Sequence, residues 1–125
     1  MNEMTSRMIR LGFFGSVGWL ILAGLSLVLL VESGALPEAP EPTAWTWASL
    51  GLLAIAVLVL YPLIIYAAPP VTRIPWLCLV ISMVLVEGAR IFFPDLFTAR
   101  VAVHIAGLGF GLFATWRFRQ LSAHL

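Results

Sequence analysis

The chain alternates between long apolar stretches and short polar or proline-rich connections. The apolar stretches cover about residues 11–31, 47–66, 76–93 and 98–116. A helix of about 20 residues rises roughly 30 Å, which is the hydrocarbon thickness of a bilayer. The pattern therefore predicts an all-α membrane protein in which residues 1–125 form one domain, a bundle of four transmembrane helices.

The composition favours lipid over water as the solvent of this chain. Hydrophobic residues make up 62% of it and charged residues 10%, and the mean hydropathy is +1.04. Soluble domains carry about 25% charged residues, and a small domain buries only about 60–70% of its surface. A water-soluble fold could not hide this much apolar surface. The net charge of +1 gives no reason to expect nucleic acid as a partner.

Several reaction classes are excluded by missing residue types. The seven basic residues are all arginine, so there is no lysine for a Schiff base or a P-loop. The single cysteine, Cys78, allows neither an intrachain disulfide nor a CxxC motif. The sequence contains no nucleophile motif and no cluster of metal-ligand residues, so we expect no catalytic residue and no metal site.

Prolines mark the predicted helix boundaries. Pro62 lies near the end of the second apolar stretch and is expected to kink or end that helix. Three prolines between residues 67 and 75 are expected to stop the helices on both sides. The first stretch is longer than the apolar region of a signal peptide, about 7–15 residues, so we expect a retained span.

Arginine placement predicts the orientation. Five of the seven arginines fall on one side of the predicted membrane: Arg7, Arg10, Arg73, Arg117 and Arg119. The acidic residues of the connections fall on the other side: Glu32, Glu38, Glu41 and Asp95. Cytoplasmic connections of membrane proteins are enriched in arginine and lysine. We therefore expect a multi-pass protein of the bacterial inner (cytoplasmic) membrane with both termini in the cytoplasm.

Three ionisable residues inside the spans form a candidate polar cluster: Glu87, Arg90 and His104. Ionisable groups within a bilayer cost about 2.5–3.5 kcal/mol each and are functional candidates for that reason. Glu87 and Arg90 stand three residues apart, so they can pair on one helix face. His104 is expected at a similar depth. A structural role, as a packing pair and a satisfied histidine, is the favoured interpretation, ahead of a proton relay or a ligand site.

Small residues mark the faces on which helices can approach closely. His104 shares a predicted face with Gly107, Gly111 and Thr115, and Gly107-x-x-x-Gly111 is a small-xxx-small pattern. His104 is therefore expected to point into the bundle. The first span carries a second set of glycines with helix-packing spacing: Gly12, Gly15 and Gly18.

Short motifs in the second half of the chain suggest a relationship. These are Tyr61-Pro62-Leu63, an aromatic residue entering the third span, Glu87-Gly88-Ala89-Arg90, and the arginine-rich tail. With these features the chain resembles an uncharacterised family of small four-span bacterial inner-membrane proteins, a domain of unknown function. The resemblance implies a fold and a location, and it transfers no activity.

The leading functional hypothesis is a non-enzymatic membrane protein, an accessory or structural subunit of a larger membrane assembly. Its partners would be the lipid bilayer and either another membrane protein or a second copy of the chain. One alternative is a small oligomeric proton-coupled transporter that uses Glu87. The other is a redox anchor that binds quinone or haem through His104, although two-histidine haem ligation would need a histidine from another chain. The leading hypothesis requires no cofactor.

Overall fold

The computed structural model describes residues 3–33, 44–93 and 96–124. Regular structure in these residues is helical throughout: α1 (Glu3–Ser33), α2 (Ala44–Ala54), a π-helical segment (Ile55–Leu60), α3 (Tyr61–Ala67), α4 (Pro70–Phe92) and α5 (Phe97–Ser122). Four of the resulting stretches are long and apolar enough to cross a membrane: α1, the continuous second span from α2 to α3, α4 and α5. The predicted all-α fold with four spans is confirmed. Glu38, Glu41 and Asp95 lie outside the described residues.

The helices extend beyond the apolar stretches. α1 begins at Glu3, where Arg7 Nη2 donates to Glu3 Oε1 at 3.0 Å across one exposed turn. α5 continues to Ser122, and Arg117 donates to Gln120 Oε1 within its last turns. Hydropathy marks the part of a helix that lies in lipid, whereas polar turns can prolong the same helix into the headgroup region. The apolar stretches therefore understate the helix lengths.

The second span changes its helical geometry just before Pro62. Residues Ile55–Leu60 are π-helical, and the Tyr61 amide donates to the Ala56 carbonyl five residues back. Pro62 has no amide hydrogen, and its ring would crowd the carbonyl four residues earlier in an α-helix. The wider π turns relieve that crowding, and α-helix resumes through Ala67. Proline thus alters this span without ending it.

The prediction that the three prolines of residues 67–75 stop both helices is wrong for α4. Pro69 precedes the helix and Pro70 is its first residue, where a missing amide hydrogen costs nothing. The first turn is closed at Thr72, whose amide and Oγ1 both donate to the Pro69 carbonyl, at 2.9 and 2.8 Å. Pro75 lies within the helix and is buried. α4 therefore begins at Pro70, six residues before the apolar stretch that starts at residue 76.

α4 is the central helix of the described structure. It contacts α1, α5 and the second span, and 50% of its most apolar window is buried, against 17–22% in the other three spans. α5 packs against both α1 and α4. The second span, as far as it is described, packs against α4 alone. One side of the second span and one side of α1 are thus left facing outward.

Two contacts fix the register of α1 and α5. Gly12 lies against the Phe118 ring, and the Ala23 carbonyl lies against His104. The two helices are therefore antiparallel, and the start of α1 and the end of α5 lie at one end of the bundle. We call this the terminal end. The Trp76 ring packs edge-on against Phe118 at the same level, with ring centroids 5.4 Å apart.

Candidate functional site

Polar side chains within the spans join the four spans to one another. We call this set the polar network; its members are Trp19, Ser26, Ser49, Ser82, Glu87, Arg90 and His104. Three of them are the predicted candidates. The other four were not predicted as site residues.

The first contact of the polar network lies near the middle of the bundle and joins α1, α4 and α5. Trp19 Nε1 donates to Ser82 Oγ at 2.8 Å, and Ser82 Oγ donates to the Gly107 carbonyl at 2.6 Å. Ser82 is fully buried and Trp19 is largely buried. A single serine hydroxyl therefore accepts from one neighbouring helix and donates to another, so both of its hydrogen-bonding functions are used.

His104 makes the second contact. Its Nε2 lies 2.8 Å from the Ala23 carbonyl of α1, and its side chain is 3% exposed. A carbonyl only accepts, so Nε2 carries the hydrogen and donates. This ties α5 to α1 about one turn beyond Trp19, towards the end opposite the terminal end. As the sequence predicts, His104 faces the interior of the bundle.

Arg90 makes the third contact and joins three spans. Its Nη1 donates to Ser49 Oγ of the second span at 2.9 Å, and its Nη2 donates to Ser26 Oγ of α1. Nη1 also lies 3.6 Å from Glu87 Oε2, which forms an ion pair within α4. The guanidinium group suits this role because its donors project in a fixed planar fork. Among the described residues the second span packs against α4 alone, so Arg90 gives it a side-chain link to α1.

Glu87 has the least complete hydrogen bonding in the polar network. It is 3% exposed, and its Oε2 accepts no hydrogen bond from the described residues. Its compensation is electrostatic: Arg90 is paired with it, and Arg100 of α5 is also close enough to interact with both. Glu87 is thus a buried carboxylate that relies on a guanidinium group of its own helix.

The three predicted residues lie in one region without forming one hydrogen-bonded cluster. His104 lies within electrostatic range of Glu87 and Arg90. Its hydrogen bond goes to Ala23 instead, and those of Arg90 go to two serines. One feature of the sequence could have pointed to the members of the polar network that were not predicted. Trp19 lies deep in an apolar stretch, where an indole N–H needs an acceptor on another helix.

The predicted packing glycines fall on two different surfaces. A Cβ at Gly107 would lie 2.8 Å from Val86 Cγ2, and one at Gly111 would lie 2.9 Å from Leu20 Cδ2. Gly12 likewise lies against Phe118. Gly15 and Gly18 are exposed on α1, and a Cβ at either would have no described atom within 4 Å. They take no part in packing among the described residues.

Open pockets lie at the terminal end of the described structure, and a pair of them contains arginines. One is lined by Arg10, Phe13, Phe14, Arg119 and Ser122, and the other by Glu3, Met4 and Arg7. Neither pocket reaches the polar network. The residues that the structure describes contain no group of three or more His, Cys, Asp or Glu side chains able to hold a metal ion.

Comparison with known proteins gives no relative. No family model, no curated protein and no solved structure matches the chain. The resemblance to small four-span bacterial inner-membrane proteins therefore stays a prediction, and the role of this chain has to be argued from its own contacts.

Proposed function

We propose that this chain is a non-enzymatic accessory subunit of a larger membrane assembly, seated in the bacterial cytoplasmic membrane with both termini in the cytoplasm. The observation that carries the proposal is that side chains of the polar network make contacts between spans. Arg90 and His104, with Trp19 and Ser82, bridge neighbouring spans. Arg90 and His104, both costly to bury in lipid, are thus used to hold the helices together.

A transport or catalytic group must exchange partners during its cycle. In the polar network, exchange would break contacts between spans: moving Arg90 would release both Ser26 and Ser49. Each such contact is worth about 0.6 kcal/mol on average in a membrane protein, and up to about 1.7 kcal/mol. These contacts therefore favour a rigid structural unit.

The two alternatives find less support in the same contacts. A proton carrier needs a carboxylate that can exchange protons with water or with a substrate, whereas Glu87 is 3% exposed and paired with Arg90. A redox anchor would bind its ligand through His104, whose Nε2 is used by the Ala23 carbonyl, so that Nδ1 is its one remaining ring nitrogen, in a side chain that is 3% exposed. Neither residue lines the terminal-end pockets, and both are 3% exposed.

The outward side of α1 has features of a surface that contacts another helix. Exposed residues follow one another along it at alternating intervals of four and three positions. We call them the outer seam: Leu11, Gly15, Gly18, Leu22, Leu25 and Leu29. This spacing is typical of a seam between two helices. In lipid, apolarity alone does not drive association, but glycines allow two backbones to approach closely. The proposal places a helix of another membrane protein on this seam.

Arginine distribution supports the cytoplasmic placement of the termini. Arg7 and Arg10 lie in the first turns of α1, and Arg117 and Arg119 lie in the last turns of α5. The antiparallel register brings all four to the terminal end, and Arg73 at the start of α4 joins them. Such an excess of arginine is characteristic of cytoplasmic ends.

The outer seam is tested by recovering the partner. Purification of a tagged chain from its native membrane in mild detergent should yield one other membrane protein in a fixed ratio. The change Gly15→Leu/Gly18→Leu should reduce that recovery several-fold, because leucine would hold the partner helix away.

Gly51→Leu/Gly109→Leu is the matched control. Both of these glycines are also exposed with no described atom within 4 Å of a Cβ, and neither lies on the outer seam. The control should leave recovery unchanged. A lone monomer of the parent chain would contradict the subunit proposal. Recovery of a second copy of the chain in place of another protein would contradict it as well. In that case the outer seam would be an interface between two copies of the chain.

A further inference from the structure

A pocket at the terminal end has the chemistry of an anion site at the edge of a membrane. It is open, has a volume of about 430 Å³, and lies between the first turns of α1 and the last turns of α5. Arg10 and Arg119 contribute charge from opposite sides, and Ser122 adds a hydroxyl. Phe13 and Phe14 supply an apolar wall, and no acidic residue lines the pocket.

The two arginines of this pocket differ from the other arginines of the terminal end. Arg7 pairs with Glu3, Arg73 Nε donates to the Ala68 carbonyl, and Arg117 donates to Gln120. The guanidinium groups of Arg10 and Arg119 have neither a hydrogen bond nor an ion pair with any residue that the structure describes. Both are exposed. Two guanidinium groups thus line one pocket with their donors unused.

We propose that this pocket binds the phosphate of an anionic phospholipid, with Arg10 and Arg119 as its ligands. Guanidinium groups bind phosphate oxygens through paired, charge-assisted hydrogen bonds. Basic pockets between membrane helices on the cytoplasmic side are sites where anionic headgroups bind. Ser122 can donate a further hydrogen bond to the phosphate.

The position of the pocket along the helices favours a lipid over free phosphate. Arg10 immediately precedes the first apolar stretch, and Arg119 follows Trp116 at the end of the last. This is the depth of lipid headgroups. Phe14, which is 72% exposed, lies beside the pocket on the lipid-facing surface, where an acyl chain can pack against its ring. Free phosphate would gain nothing from that apolar wall.

The site is tested with the full chain in detergent micelles, by native mass spectrometry of its complexes with phosphatidylglycerol and with phosphatidylcholine. The parent chain should retain phosphatidylglycerol in preference to phosphatidylcholine. Arg10→Gln/Arg119→Gln should weaken phosphatidylglycerol binding about 10-fold to 30-fold, as expected from about 1 kcal/mol for each arginine near an anionic surface.

Arg7→Gln/Arg117→Gln is the matched control, because it removes the same charge from the same two helices at the same end. It should leave phosphatidylglycerol binding unchanged within about twofold, as expected for arginines that already have partners. Equal losses of phosphatidylglycerol binding in both variants would indicate a general effect of charge in place of a specific site and would overturn the proposal. So would unchanged binding by Arg10→Gln/Arg119→Gln. Displacement of the lipid by an excess of inorganic phosphate would assign the pocket to a free anion instead.

Discussion

Replacing Arg90 by leucine is expected to lower the free energy of unfolding by about 3 kcal/mol or more. The change leaves the Glu87 carboxylate buried without its counterion. It also removes the donors to Ser26 and Ser49, and with them a side-chain link between α1 and the second span. Unfolding of the purified protein by SDS in mixed micelles, followed by tryptophan fluorescence, measures the effect.

Two further variants separate the buried pair from a general loss of charge. Arg7→Leu breaks an exposed ion pair with Glu3 and should change stability little, since exposed pairs contribute little. Glu87→Leu/Arg90→Leu removes both partners and should be less destabilised than Arg90→Leu alone. If Arg90→Leu unfolds at the same SDS fraction as the parent chain, the role of Arg90 as a bridge between spans is contradicted.

The second large effect is expected for Gly107→Ala, which should destabilise the bundle by about 1–3 kcal/mol through overpacking. The added Cβ would lie 2.8 Å from Val86 Cγ2 and 3.1 Å from the Ser82 carbonyl oxygen. The side chain of Val86 can shift slightly, but the carbonyl oxygen belongs to the backbone of α4. Relief therefore requires α4 and α5 to move apart. The same SDS unfolding measurement reports this change.

Gly109→Ala is the control for helix propensity. Gly109 lies two residues after Gly107, which places it about 200° further round the helix, on the exposed side of α5, and a Cβ there would meet no described atom within 4 Å. It should be neutral or stabilising by up to about 1 kcal/mol, because alanine favours helix over glycine. If the two variants have equal stability, the close approach of α4 and α5 at Gly107 is wrong.

The spans were predictable because hydropathy responds directly to lipid. Their ends were not, since polar turns such as Glu3–Arg7 extend a helix without any apolar signal. Pro70 shows the same limit in another form. Read as a helix breaker, proline predicts a stop, but at the first position of a helix it is favourable. The same residue type therefore ends one helix and begins the next.

The glycine patterns show how far packing can be predicted. Gly107 and Gly111 lie on the His104 face of α5, and both lie at close contacts. Gly15 and Gly18 have equally suitable spacing, yet they face away from the described helices. Spacing indicates that a close approach is possible and does not identify the partner. The partner depends on how α1 is rotated about its axis, which Trp19 and Ala23 decide through their own contacts.

The ionisable members of the polar network could be predicted from the sequence, but its tryptophan, its serines and the contacts between spans could not. Charge inside a span pointed to Glu87 and Arg90, and depth alone brought His104 near them. The acceptors are two serines and one main-chain carbonyl. A carbonyl has no sequence signature, and a serine in an apolar span becomes a partner only when two helices reach the right register. Which groups become partners therefore depends on the packing between spans, and the sequence around each residue does not reveal that packing.

The crossing of the membrane by four spans is tested most directly by single-cysteine labelling in a Cys78→Ser background, with a membrane-impermeant maleimide on intact and lysed cells. Met4→Cys and Gln120→Cys, both exposed at the terminal end, should react only after lysis, and Leu96→Cys should react in intact cells. Leu22→Cys, which faces lipid, should stay unreactive until the membrane is dissolved. A result that places Met4→Cys and Gln120→Cys on opposite sides of the membrane would contradict the four-span arrangement. So would a reaction of Leu22→Cys with the maleimide while the membrane is intact.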